Sequence, residues 1–597
     1  MKRSARETGL VALLYVVLAV AMTWPLVLHL GDQVIGPFVG DNLEYVWKIW
    51  WVKHALLDLG RSPLHVPEVY APYGYPLAYG EITPAHTYLG IPLTVLFGPV
   101  ATYNLFILAS TALSGFCAYL LVREGTGSAP AGIVSGVVYA FCPYRMARIA
   151  GNLPLVDTQW IALLYLYLER YLRRRRGRDA ALAGLWFALS ALSSWYYGAM
   201  LALLVPVYLV ARLWRRWRRE DWGPWLRGAA LFAGVSAVLV VPFLLPYRAV
   251  QRAGEASVPL EQAAFWSGGL DDYLVPNPRH PLWGDWVQRH LTPFDGQLPY
   301  EFLLGWGWIP SLLALYAWRR KGQGLHRGWG WLIGAAFLLS LGPVVTLFRR
   351  VIALPAPEAW AAAWNGALDW LGRHSLAGEP FSLAAEGRIA LPLPALLLRW
   401  TVPGLAGMRS WGRFAILATL GIAVAAGAGT AVFLREEVEP RPTGRPRPRR
   451  WAVTGLLVGW VLFEFYTGPQ ELIAAGPRPV DVWLSELEEQ VTLIQLPVDR
   501  ALSGPQMYYT MHHGQRIASG YGTYFPILFE EWYPELRDFP SDASIEVLAG
   551  WGGEGINLVL IDEEDAPAGD PLWEAIAGQG RLELAHEVGG IAVYQVR

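Results

Sequence analysis

The sequence predicts a polytopic α-helical membrane protein with a small C-terminal extracytoplasmic α/β domain. Three observations carry this. Apolar runs long enough to cross a bilayer recur along the chain. Charged residues make up only 16% of the 597 residues, where soluble domains run near a quarter. The 30 tryptophans and 28 tyrosines suit side chains that anchor at a membrane–water interface. The net charge of −1 gives no global pull toward nucleic acid, and no such partner is expected. The two cysteines, Cys117 and Cys142, both lie in apolar segments, so neither a disulfide framework nor a zinc spacing is present.

The elements follow in order. MKRSARE is basic and precedes the apolar stretch 10–30; without a small-x-small cleavage site it reads as an uncleaved first helix rather than a signal peptide. Arginine-rich patches at 170–178, 212–220, 319–327 and 441–450 belong on the cytoplasmic side with the N-terminus, so an even number of crossings separates each pair. Spans are expected at 10–30, 100–122, 130–147, 155–170, 179–196, 198–213, 225–247, 301–318, 328–348, 411–434 and 451–468, about eleven transmembrane helices. YLGIPLTVLFG (88–98) is too short to span about 30 Å of hydrocarbon, and IALPLPALLLRWTVPG (389–404) is short and carries three prolines and Arg399. Both are expected to be re-entrant or surface segments. This topology makes residues 1–468 a transmembrane domain with outer loops at 31–99, 248–300 and 349–410. The C-terminal domain, 469–597, is then extracytoplasmic. In it, VTLIQLPV (491–498) and INLVLIDEED (556–565) read as buried strands, and the chain ends in a hairpin turning at Gly589-Gly590.

GPFVGDNLEYVWKIWW (36–51) follows the first apolar segment. Over 43–54, Leu43, Val46, Trp47, Trp50 and His54 recur at helical spacing, which suits a helix lying in the interface with its tryptophans among the headgroups. Asp41 and Glu44 have capping-box spacing: Asp41 would cap the helix and Glu44 reach back. A carboxylate fixed in this way also has what general-base chemistry needs, a set rotamer within reach of a proton. The two readings are compatible. Glu81 and His86, in YGEITPAH, stand in the first outer loop, Asp271-Asp272 read as a surface turn, and Glu464 is an intramembrane acid. No phosphate-binding glycine loop, dinucleotide fingerprint or His-Glu-x-x-His motif occurs.

The acidic Gly-Asp after the first span, the long first outer loop with two interfacial segments and the C-terminal outer domain together resemble the GT-C superfamily of polyprenyl-phosphate-dependent glycosyltransferases. APYGYPLAYGEITPAHTYLGIPL (71–93), TYNLFILASTALSGFCAYLLVR and GIVSGVVYAFCPYRMARIAGNLPLVDTQWIALLYLYLERYLRR resemble uncharacterised bacterial members, including YfhO-like proteins. RSWGRF (409–414) is similar to their Arg-x-Pro-x-Arg-Phe segment, with Trp411 in place of proline. The resemblance implies a GT-C-like membrane enzyme of the cell envelope. It would transfer a pentose or hexose from a polyprenyl-phosphate sugar donor to a glycan, lipid or protein acceptor on the outer face of the plasma membrane. It places the catalytic acid at Asp41, with Glu44 a second candidate three residues on; the paired Asp-Glu of some branches is absent, because Asn42 intervenes. In some branches this acid binds a divalent metal ion, and that option stays open. Arg409 and Arg413, and Arg145 and Arg148, are outer arginines adjoining spans, and their planar forks suit a donor phosphate; the alternative is snorkelling to membrane lipid headgroups. Glu81, His86 and Asp157 are candidate acceptor or metal contacts, and Asp157 is placed to meet Arg145 or Arg148. The inner loops are too short for a nucleotide-sugar domain. A transporter or flippase for a lipid-linked saccharide, or a non-catalytic envelope assembly protein, would share many of these features.

Overall fold

The computed structural model describes residues 2–38, 40–214, 222–252, 258–292, 300–321, 324–383, 386–438, 448–498, 502–522, 527–553, 555–564, 566–567 and 569–597. The arginine-rich stretches 215–221 and 439–447 lie outside the described residues. The fold is mostly helical. Helices Lys2–Met22, Ile91–Thr126, Ala129–Phe141, Gln159–Arg174, Gly177–Ser193, Trp195–Leu213, Trp222–Arg252, Trp308–Arg319, Arg327–Ser340, Ala415–Phe433 and Pro448–Phe465 occupy the apolar stretches. Among the described residues, four segments are long and apolar enough to cross a membrane: Ile91–Thr126, Trp195–Leu213, Trp222–Arg248 and Trp411–Val438.

The last of these is the centre of the bundle, with 89% of its apolar window buried. Its small residues let neighbouring helices approach closely. A Cβ added at Gly429 would lie 2.0 Å from the Leu313 carbonyl oxygen. Trp222–Arg248 is the opposite case, with only 17% of its window buried, as for a helix that faces lipid. Segment 88–98 holds a short helix from Ile91 that non-helical Gly98 (φ 81°, ψ 167°), just before Pro99, sets off from the longer helix running on to Thr126; proline removes a backbone donor there and glycine alone takes that conformation readily. Segment 389–404 holds only strand Arg388–Ala390 and the short helix Pro394–Thr401. Expected span 130–147 is broken at Cys142-Pro143, so Arg145 and Arg148 stand on a separate helix, Pro143–Arg148.

Glu464 accepts from the backbone N–H groups of Trp308 and Ile309. It satisfies the orphan donors at the start of helix Trp308–Arg319. Asp271 accepts from Phe348 N at 2.9 Å, and Asp272 pairs with Arg349; both are tied into the turn. The two cysteines are free and buried.

The C-terminal residues build a five-stranded sheet in the order Arg516–Ile517, Thr492–Leu496, Leu558–Asp562, Ile591–Val596, Leu582–Val588. The first three strands are parallel and the last two close an antiparallel hairpin. Gly589 (φ 62°) and Gly590 (φ 76°) take the left-handed conformations its tight turn requires. The first long loop, 31–90, is built into this region. Strand Gln33–Ile35 pairs with Leu472–Ala474, Val69 bridges Ile517 in parallel, and helix Asp41–Lys53 packs against helix Ser503–His513.

That packing corrects the interfacial placement of the tryptophan-rich helix. Residues Asn42 to Ile49 are all buried, as are Trp51 and Val52. Trp47 and Trp51 stack at 5.8 Å, and each indole N–H finds a protein partner at 2.9 Å: Thr510 Oγ1 for Trp47 and the Pro63 carbonyl for Trp51. Protein, not lipid headgroups, supplies the polar contact that a buried indole needs.

Candidate active site

Asp41 is the first residue of helix Asp41–Lys53, with Gly40 in extended conformation as the N-cap. The capping-box expectation is overturned: the N-cap has no side-chain hydrogen bond, and both acids are engaged elsewhere. The turn into the helix is held by Asn42, whose Nδ2 donates to the Ile35 and Pro37 carbonyls at 3.1 and 3.3 Å. Gly36 (φ 117°) permits a close approach of the preceding loop, since a Cβ there would fall 2.2 Å from the Ala150 carbonyl oxygen. This contact brings Asn152 to Asp41. Asn152 Nδ2 donates to Asp41 Oδ2 at 3.3 Å, while the Tyr521 hydroxyl donates to Oδ1 at 2.6 Å. The segment bearing Tyr521 is docked on the first loop through the Tyr70 hydroxyl, which donates to the Gly520 carbonyl at 2.8 Å.

Glu44 lies one turn further along and forms a buried ion pair with Lys48. Burial pushes the Glu44 carboxyl up to about 7; Lys48 pulls against burial and the Asp41 charge adds to it. Lys48 Nζ also donates to the Glu81 carbonyl at 3.1 Å. The Glu81 carboxylate accepts from Trp195 N at 2.7 Å, at the start of helix Trp195–Leu213. Burial raises the Glu81 carboxyl, and the Ser194 hydroxyl and the Arg413 charge oppose it.

The arginines divide. Arg145 is fully buried and donates to the Ala140 and Val156 carbonyls, the latter at 2.9 Å; these bonds tie the broken helix to its neighbours. Arg148 donates to Glu301 Oε2 at 2.8 Å and stacks 3.6 Å above the Tyr144 ring. Arg413 holds the other oxygen, Glu301 Oε1, through Nε at 3.0 Å and Nη2 at 2.6 Å, and lies 4.1 Å over Tyr196. Burial alone would raise the Glu301 carboxyl, but the Arg413 and Arg148 charges outweigh it and hold it at about 2. One carboxylate thus bridges two buried guanidiniums. Arg409 is exposed, with its guanidinium 5.4 Å from the Trp266 ring centre. Its charge reaches Tyr521, whose hydroxyl is pushed up by burial and by Asp41 and pulled down by Arg409. The charge of Arg413 likewise reaches Tyr45 and Glu81. The Asp41 group and the 409–413 arginines therefore share one electrostatic neighbourhood.

Glu81 lies within reach of the Arg413 charge, whereas Asp157 and His86 are engaged with each other. Asp157 does not meet Arg145 or Arg148. His86 Nε2 stands 3.0 Å from Asp157 Oδ2, and Asp157 also accepts from Gln159 and Ser193, each at 3.0 Å. Glu81 and His86 thus serve different partners. Among the described residues no three His, Cys, Asp or Glu side chains are grouped to hold a metal ion. Tyr521, Asn152, Lys48 and Glu301 were not legible as site residues. The one available signal was the demand of two buried outer arginines for a carboxylate, which Glu301 meets at the mouth of a span.

A family model described as a domain of unknown function, DUF6311, matches residues 12–367. The chain belongs to the DUF6311 family. No curated protein matches the sequence. Among solved structures, the arabinofuranosyltransferase AftD from Mycobacteria is similar over 99% of this chain and 40% of its own, at 14% identity and a TM-score of 0.54. The chain thus spans well under half of AftD. The oligosaccharyltransferase AglB from Archaeoglobus fulgidus is similar over 99% of this chain and 74% of its own, at 14% identity and a TM-score of 0.47. ArnT from Cupriavidus metallidurans is similar over 98% of both chains, at 12% identity and a TM-score of 0.36. The chain therefore shares its fold with AftD.

Proposed function

We propose that this protein is an integral-membrane glycosyltransferase that moves a sugar from a polyprenyl-phosphate donor to an acceptor hydroxyl on the extracytoplasmic face. The single observation that carries the reading is Asp41: a carboxylate at a helix start, oriented by Tyr521 and Asn152, in the electrostatic reach of an arginine group. The fold it shares with an arabinofuranosyltransferase makes sugar transfer the reading with a precedent, although fold alone does not fix chemistry.

The roles follow from the contacts. Tyr521 holds Asp41 Oδ1 with a short bond, while Oδ2 has only the long contact to Asn152. Oδ2 is therefore the oxygen that accepts the proton of the acceptor hydroxyl. The acceptor oxygen attacks the anomeric carbon, the bond from that carbon to the phosphate oxygen breaks, and the polyprenyl phosphate leaves with the electron pair. Arg409, exposed and stacked near Trp266, meets the developing phosphate charge. Arg413, clamped with Arg148 by Glu301, supplies fixed positive potential behind it. The positive-inside rule supports a cytoplasmic position for the opposite, arginine-rich end of the bundle.

The test is reconstitution in proteoliposomes with polyprenyl-phosphate pentoses and hexoses. The reading expects donor consumption, with release of polyprenyl phosphate and appearance of a glycosylated acceptor. Donor that crosses the bilayer with its sugar intact would instead mark a flippase.

A further inference from the structure

Three of the arginine-rich turns converge at the end of the bundle remote from Asp41. A half-open cavity of about 270 Å³ lies there, lined on its polar side by Arg173, Arg212, His326 and Glu169. Arg212 is near the last turn of helix Trp195–Leu213, whose first residue receives the Glu81 carboxylate. Nineteen residues of helix put the two ends roughly 27 Å apart. Arg173 comes from helix Gln159–Arg174 and His326 directly precedes helix Arg327–Ser340. The cavity floor is apolar, built by Leu121, Val122, Val424 and Ala428 of two spanning helices.

The charges on its wall do not balance. Glu169 is buried, and its Oε1 takes the Tyr208 hydroxyl at 2.8 Å, Arg212 Nε at 3.2 Å and His326 Nε2 at 3.1 Å. Arg173 reaches its second oxygen only at 3.7 Å and keeps 42% of its side chain exposed. His326 Nδ1 is buried with no hydrogen-bond partner among the described residues. One carboxylate thus serves two guanidiniums and an imidazole, and Arg173 is the most weakly held of the three. Paired arginines favour oxyanions, phosphate among them. The volume is just below the range for drug-sized ligands and suits a headgroup. A polar rim over an apolar floor suits a group whose one end is charged and whose other is aliphatic.

We propose that this inner cavity is a second ligand site, independent of the outer one, that binds a phosphate group through Arg173 and Arg212. The phosphate can arrive on an anionic phospholipid headgroup or as free phosphate, and the two sources are separable.

The experiment measures the thermal midpoint of the purified full-length protein in detergent, with dioctanoyl phosphatidylglycerol, dioctanoyl phosphatidylcholine or inorganic phosphate added. Phosphatidylglycerol is expected to raise the wild-type midpoint by several degrees and phosphatidylcholine is not. Arg173→Gln should lose at least half of that rise, and Arg173→Lys should keep most of it. Arg173→Gln leaves Glu169 its three closer partners, so the fold is retained; should Gln fail to fold, an Arg173→Ser variant replaces it in the same comparison. An equal, Arg173-dependent rise with inorganic phosphate alone assigns the site to free phosphate. No rise with either phosphate ligand, a rise equal with phosphatidylcholine, or a rise unchanged in Arg173→Gln overturns the proposal.

Discussion

The Tyr521 hydroxyl donates to Asp41 Oδ1 across 2.6 Å, joining residues 480 positions apart. A helix start in the first outer loop is thereby set by a side chain from the C-terminal sheet region. The bond is charge-assisted, a class worth about 1.5–3 kcal/mol. Tyr521→Phe should lower kcat by roughly tenfold or more and lower the thermal midpoint by no more than a few degrees, as steady-state transfer assays and thermal unfolding would report. Wild-type kcat in that variant would remove Tyr521 from the mechanism.

Glu301 makes the arginine group a structural unit as well as a charged one. Glu301→Gln leaves Arg148 and Arg413 buried without their carboxylate, and loss of one partner of a buried pair costs about 3–5 kcal/mol. The pH dependence has a definite sign. The carboxyl is held at about 2 against an ordinary 4.5, so its contribution, about 3 kcal/mol, is present above pH 4.5 and is lost as pH falls toward 2. Thermal midpoints of the wild type should drop across that window, and those of Glu301→Gln should drop less.

Glu44 titrates on the other side. Its carboxyl is raised to about 7, so it is neutral below that pH and anionic above. The new charge sits near Asp41, whose own charge helps to raise the Glu44 carboxyl, and it adds to the negative potential where the acceptor proton is taken up. The rate of transfer should therefore rise as pH passes through about 7, and Glu44→Gln should flatten that rise. A rise of equal size in the variant would assign it to another group.

Removal of residues 469–597 tests the packing of the first loop. It would strip strand Leu472–Ala474 from Gln33–Ile35 and helix Ser503–His513 from helix Asp41–Lys53. Trp47 and its neighbours would be exposed, so the truncated protein should aggregate or lose its cooperative thermal transition. A folded, monodisperse truncation would show that the loop stands without the tail.

Local signals made the helices legible. Apolar runs located them because a spanning segment must satisfy its backbone internally, and the Gly-Asp after the first run marked Asp41. What stayed hidden depends on distant packing. Tyr521 and Asn152 reach Asp41 from 480 and 111 residues away, and no motif surrounds either. The tryptophans at 47 and 51 were misplaced because helical spacing of aromatic residues reads the same for a headgroup layer and for a protein core; only the partners Thr510 and Pro63 tell them apart. The Asp-x-x-Glu spacing misled for a similar reason. Lys48, at i+4 from Glu44, offered a stronger partner than the backbone N–H, and Gly40 rather than Asp41 took the cap position.

The central claim is that Asp41 takes the acceptor proton, and Asp41→Asn in reconstituted membranes tests it most directly. Asparagine keeps the side-chain shape and removes the basic oxygen. The account predicts a loss of about 10²–10⁴-fold in kcat with lipid-phosphate donor binding retained; turnover at the wild-type rate in that variant would contradict it.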